Sequence, residues 1–123
     1  MIPLPVIRAT FELDENGRPV VIQRGDLKHY RIRLHLENAP DDAYAVTYLL
    51  DETYYNPVRE SRDSATGFAE EFTSYGDFTV QAKVRSKEGV VPVAAPLSAA
   101  LEAGYGTSVS PEIEQALKDI RAK

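Results

Sequence analysis

Two short stretches carry the side chains best suited to gripping a ligand. The first is Asp51-Glu52-Thr53-Tyr54-Tyr55, running on into Asn56-Pro57-Val58-Arg59; the second is Ser74-Tyr75-Gly76-Asp77-Phe78. Together they hold hydroxyls, flat aromatic faces and a glycine whose backbone is accessible. If the two loops share one end of the molecule, they make an aromatic-lined slot with a hydroxyl inside it. It is binding chemistry rather than catalysis. The competing reading is that Tyr54, Tyr55 and Tyr75 only pack the end of a small core.

These stretches meet only if the elements around them bring two loops to one end of the molecule. The first follows a strand expected over Ala43–Leu50, with Val46, Tyr48 and Leu50 on one face. The second opens a strand over Phe78–Arg85, with Phe78, Val80, Ala82 and Val84 facing inward. Both show the period of two of a half-buried strand, and Tyr48 reads as core by its parity. The same alternation marks Ile7–Leu13 and, most cleanly, His29–Leu36. Asn16-Gly17 is a hairpin signal, followed by a return strand from Pro19 to Gln23. Arg24-Gly25-Asp26 reads as a tight turn, and Asn38-Ala39-Pro40-Asp41-Asp42 as turn chemistry. Phe68–Phe72 is a strand with a flawed pattern, since Glu70 shares the parity of the phenylalanines, and a bulge is expected there. Val90–Val93 is a last short strand that Pro92 marks as an edge or a terminus. Residues 60–67 read as a mobile connection.

Short strands separated by turn signals predict an all-β chain, an immunoglobulin-like antiparallel β-sandwich over residues 1–101. Residues 102–109 read as a linker. Ser110-Pro111, an N-cap followed by proline, opens a short C-terminal helix over 110–123 whose Ile113, Ala116, Leu117 and Ile120 share one face. That helix is expected to dock on its own domain or on a partner, with self-docking or fraying the preferred reading.

Bulk properties exclude several functions. The chain of 123 residues has no cysteine, hence no disulfide, thiolate metal site or cysteine nucleophile, which fits a reducing cytoplasm. A net charge of -5 argues against nucleic acid as a partner. No apolar run is long enough for a membrane span, and Met1-Ile2-Pro3-Leu4-Pro5 lacks the pattern of a secretory signal. His29 and His35 share a strand face but lie about 20 Å apart at strand rise, so they cannot share a metal ion and read as part of a solvated basic face. No phosphate loop, zinc-type histidine pair or nucleophile elbow is present, so neither cofactor nor enzymatic activity is expected.

The stretch from Val46 to Arg85 resembles the YEATS domain, most closely its prokaryotic branch. The family pattern is a strand ending in Leu-His, then x-Ser/Thr-Phe, two residues, Pro-x-Arg, and later Gly-Trp/Tyr-Gly-x-Phe. Leu50-Asp51-Glu52-Thr53-Tyr54-Tyr55-Asn56-Pro57-Val58-Arg59 and Ser74-Tyr75-Gly76-Asp77-Phe78 follow it, with Asp51 in place of histidine and Ser74 in place of the first glycine. The resemblance implies an immunoglobulin-like reader of acylated lysine on a protein or peptide partner. It gives Thr53 the hydroxyl that bonds the acyl amide, Tyr54 and Tyr75 the aromatic walls, and the backbone at Tyr75–Gly76 the donor to the acyl carbonyl. Asp51, Tyr55 and Ser74 complete the expected ligand-binding set. The alternative is an adaptor of a prokaryotic signalling or conflict system that binds no acyl-lysine; the oligomeric state is not legible.

Overall fold

The computed structural model describes residues 4–105 and 109–122. Its element order is β1 (Val6–Phe11), β2 (Val21–Arg24), β3 (Leu27–Glu37), β4 (Ala45–Leu49), β5 (Val58–Ser61), β6 (Glu70–Ser74), β7 (Thr79–Ser86), β8 (Gly89–Pro96), α1 (Leu97–Tyr105) and α2 (Pro111–Ala122). The strands form two antiparallel four-stranded sheets, as expected of an immunoglobulin-like sandwich.

The first sheet is built on β3. Tyr30, Ile32, Leu34 and Leu36 point inward and are buried, while Arg31 and Arg33 between them are exposed. β1 pairs with its far half (Val6 opposite Glu37) and β2 with its near half (Val21 opposite Tyr30), so the two lie end to end along one side. β6 takes the other side. The second sheet runs β5-β4-β7-β8. Val46, Tyr48, Val80 and Val84 face the first sheet with no exposed surface. The Tyr48 hydroxyl crosses the core and donates to Phe68 O at 2.7 Å. Burial pushes this phenol well above the ordinary tyrosine range, so it remains a donor.

Several elements differ from the expectation. Residues 58–61 form β5, an edge strand within what reads as loop; an Asn-Pro turn and alternating charges hide it. The irregularity before β6 sits at Gly67 and Phe68, both left-handed, with φ of 73° and 56°. It turns Phe68 into the core before the strand begins. The expected linker over 102–109 begins as helix: residues 102–105 are the last turn of α1, and 106–108 lie outside the described residues. Small residues and a glycine conceal that helix. α2 opens at Ser110 as its cap and buries Ile113, Ala116, Leu117 and Ile120 in the common core, so it docks on its own domain. None of the helices among the described residues is long and apolar enough to cross a membrane.

α1 lies along the outer edge of β1. The Arg8 guanidinium bonds Ala103 O, and the Tyr105 hydroxyl accepts from Phe11 N at 2.8 Å. The two backbones approach so closely that a Cβ on Gly104 would stand 2.1 Å from Ala9 O. His35, on the exposed face of β3, is half-buried, and burial together with Arg33 and Arg8 holds its pKa below the ordinary 6.5. The solvated basic face therefore does not extend to it.

Two outcomes follow. Gly104→Ala, normally stabilising by about 1 kcal/mol within a helix, is expected to destabilise by about 1–3 kcal/mol through overpacking, measured by urea unfolding. Because folding disfavours the charged form of His35, the unfolded chain takes up a proton first as pH falls below 6.5. Stability is therefore expected to drop between pH 7.5 and 5, and His35→Gln to flatten that part of the urea-midpoint profile.

Candidate functional site

The β4–β5 loop is closed by a bond from Leu50 N–H to Pro57 O at 2.8 Å. Within it, one oxygen of Asp51 organises the turn, as aspartate does in an Asx motif. Asp51 Oδ1 accepts the Thr53 N–H at 3.0 Å and the Thr53 hydroxyl at 2.8 Å. These two bonds hold the carboxyl below the usual carboxylate range. Arg59 braces the loop from outside: its Nε donates to Asn56 O at 2.6 Å, and its Nη1 reaches Glu71 O at 3.2 Å and Glu70 Oε1 at 3.4 Å. The arginine thus ties β5 to β6 across the edge of the sandwich.

Tyr54 is fixed at both ends. Its hydroxyl donates to Thr73 O at 2.7 Å, and its ring lies 5.8 Å from Phe72 and 5.7 Å from Phe78. The two phenylalanines are themselves 5.9 Å apart and edge to face, the favoured aromatic geometry.

The β6–β7 loop carries the opposite wall. Ser74 is buried, and its hydroxyl donates to Gly76 O at 2.8 Å while accepting Gly76 N–H at 3.3 Å. It staples the loop. Gly76 N–H is so engaged, while the Tyr75, Asp77 and Phe78 amides of this loop have no protein acceptor among the described residues. The Tyr75 ring is 47% exposed and lies 5.2 Å from the imidazole of His29. Asp77 caps α1, accepting Ser98 N–H at 2.9 Å and the Ser98 hydroxyl at 2.7 Å, and Leu97 N–H bonds Phe78 O. The carboxylate suits the positive end of that helix.

The two loops therefore converge, and they leave an open cleft of about 440 Å³ between them. That volume lies within the usual range for a ligand pocket. Asp51, Thr53, Tyr54, Tyr55, Ser74, Tyr75 and Gly76 all border it, with Tyr55 wholly exposed at the rim. Sequence reasoning missed Arg24 and His29, which reach the same cleft from the β2–β3 hairpin. Only the register of that hairpin, with Ile22 opposite His29 and Arg24 opposite Leu27, brings them there. It also missed Asp77, whose role depends on the unforeseen α1. Among the described residues no group of carboxylates and histidines is arranged to hold a metal ion.

The family model of the prokaryotic YEATS domain matches residues 30–91, which contain both loops. No curated protein matches the sequence. Among solved structures, the Yaf9 YEATS domain recognising an H3K122suc peptide is similar with a TM-score of 0.54 and 19% identity, over 94% of each chain. The same domain bound to H3K27ac gives 0.53 and 21%, over 76% of this chain and 73% of that one. Yeast Yaf9, an AF-9 homologue, gives 0.51 and 20%, over 79% and 70%. At these identities the likeness is one of fold.

Removing the cap should loosen the aromatic loop. Asp77→Ala is expected to lower stability by about 1 kcal/mol and to speed amide exchange at Tyr75 and Gly76, followed by NMR.

Proposed function

The chain belongs to the prokaryotic YEATS domain family, and we propose that it is a non-enzymatic binding module whose cleft holds an acylated lysine of a protein partner. The observation that carries this reading is the convergence of the two loops on an open cleft bounded by aromatic side chains. Tyr54 and Tyr75 act as walls on either side of the flat acyl-amide. The Thr53 hydroxyl bonds the amide, and Tyr75 N–H donates to the acyl carbonyl. Acylation has removed the lysine charge, so the side chain enters an aromatic slot without the large desolvation penalty of an ammonium. The solved Yaf9 complexes, with succinylated and acetylated H3 peptides, lend support at the level of the family.

Calorimetric titration with acetyl-lysine, crotonyl-lysine and unmodified lysine peptides tests the reading. Tyr75→Ala, at a half-exposed position, is expected to weaken acyl-lysine binding about tenfold, the loss of one aromatic wall, with the circular dichroism spectrum unchanged. If neither acylated peptide binds the native chain, the proposal is wrong.

A further inference from the structure

We infer that Asp119 of α2 is a positioning residue for the Tyr75 side of the cleft, acting through Tyr30 at the start of β3. Its effect on ligand affinity rests on the acyl-lysine reading of that cleft; the contacts that carry it lie in α2 and β3. A carboxylate in the last turn of a helix faces the negative end of the helix dipole and is disfavoured there. α2 nevertheless places Asp119 three residues before its last residue, Ala122. Both carboxylate oxygens are in use. Oδ1 accepts from Gln115 Nε2 at 3.0 Å, one turn earlier in the helix, and Oδ2 accepts from the Tyr30 hydroxyl. The first bond orients the carboxylate and the second ties the helix to the sheet. Among the described residues α2 has one other polar tie outside itself, the ion pair of Arg121 with Glu102 of α1. Both of those side chains are half-exposed, and such surface pairs contribute little. Burial of the apolar face of α2 is not directional; the bond to Tyr30 is, and it sets where the last turn lies against β3.

Tyr30 connects that tie to the cleft. Its ring is buried and packs on Phe11 at 5.4 Å. It sits opposite Ser74 in the β3–β6 ladder, immediately before Tyr75. Its neighbour His29 points to the other face of the sheet, 5.2 Å from the Tyr75 ring. Successive residues of a strand face opposite ways, so one short length of backbone carries the α2 tie inward and the Tyr75 contact outward. Tyr75 also faces the helix across a second recess. Asp26, Leu27, Lys28, Tyr75, Asp119 and Ala122 surround about 180 Å³ there. A recess, not a packed contact, thus separates the end of the β2–β3 hairpin from the last turn of α2. The Asp119–Tyr30 bond beside it maintains that spacing. Without the bond the two elements are free to close on each other, and Tyr75, which borders both recess and cleft, loses its setting against His29. The Tyr54 side stands apart from this chain of contacts, held by Phe72, Phe78 and Thr73 O.

The test compares the full native chain with Asp119→Ala, Asp119→Asn and Tyr30→Phe, first without ligand. NMR signals of the His29 imidazole report on the Tyr75 ring beside it, and the amides of Tyr75, Gly76, Thr53 and Tyr54 report on the two sides of the cleft. Asp119→Ala and Tyr30→Phe are expected to shift the His29 ring signals and the Tyr75 and Gly76 amides in the same direction, leaving Thr53 and Tyr54 in place. Asp119→Asn keeps an acceptor oxygen for the Tyr30 hydroxyl and is expected to retain the native signals. Calorimetric titration with an acetyl-lysine peptide is then expected to show binding about fivefold weaker in Asp119→Ala and Tyr30→Phe, the low end of coupling between sites, and native affinity in Asp119→Asn. Tyr30→Phe keeps the ring and its packing on Phe11, so it decides the matter if Asp119→Ala does not fold. Unmoved His29 and Tyr75 signals in Tyr30→Phe overturn the inference. So do shifts that spread equally to Tyr54, the mark of a general loosening, and an unchanged affinity beside shifted signals. If the native chain binds no acetyl-lysine peptide, the acyl-lysine reading fails, and the ligand-free signals alone decide the role of Asp119.

Discussion

Three rings hold the candidate site together. Tyr54 comes from the β4–β5 loop, Phe72 from β6 and Phe78 from the entrance to β7, and each touches the other two at centroid distances between 5.7 and 5.9 Å. Tilted and edge-to-face pairs of this kind add about 0.5–1.5 kcal/mol apiece beyond burial. Their importance here is positional. Loop ends are usually the least constrained parts of a sandwich, yet this cluster seats one loop on the strand beneath the other. The Tyr54 hydroxyl on Thr73 O completes the attachment. The two walls of the cleft are therefore unlike. The Tyr54 side chain is held by packing and a hydrogen bond, whereas at Tyr75 the flanking backbone is held through Ser74 and Asp77, and the half-exposed ring lies against His29.

Charge is arranged with the same economy. The exposed face of β3 looks basic in one dimension, but Arg31 pairs with Glu12 at 3.0 Å, Arg33 lies opposite Glu71, and Arg8 pairs with Glu37. Glu12 and Glu71 lie close enough for burial and their mutual hydrogen bond to raise the Glu12 carboxyl above its usual range. These arginines are largely neutralised within the sheet. Arg24 and His29 instead lie beside the cleft, in a chain that is acidic overall.

How much of this the sequence disclosed depended on whether the signal was local. The alternation of Tyr30, Ile32, Leu34 and Leu36, and of Val80, Ala82 and Val84, was legible because strand parity is written in neighbouring residues. The Ser110-Pro111 cap was legible for the same reason. β5 was hidden because an edge strand needs only one partner and tolerates charge on its open side. α1 was hidden because the face it buries, Leu97, Ala100 and Leu101, is short and sits among small residues and a glycine. The two loops could be paired in advance through the family motif, and Tyr54 and Tyr75 do border one cleft. His29 and Arg24 could not, since cross-strand register and not spacing brings them there. The two departures from the family pattern, Asp51 and Ser74, each form hydrogen bonds within their own loop, which no motif comparison would reveal.

The contact between α1 and β1 has a consequence for how the chain is made. β1 leaves the ribosome before the other elements of this domain and can pair with β3 as soon as that strand emerges. Its other side presents open backbone groups, and α1, which covers them, is encoded more than eighty residues later. At about 5–20 residues per second, that edge stays uncovered for several seconds on every nascent chain. An open strand edge is a template for pairing with a neighbouring chain. Crowded polysomes are thus where this protein is most exposed to misassembly, and a chain truncated before Leu97 would never leave that state.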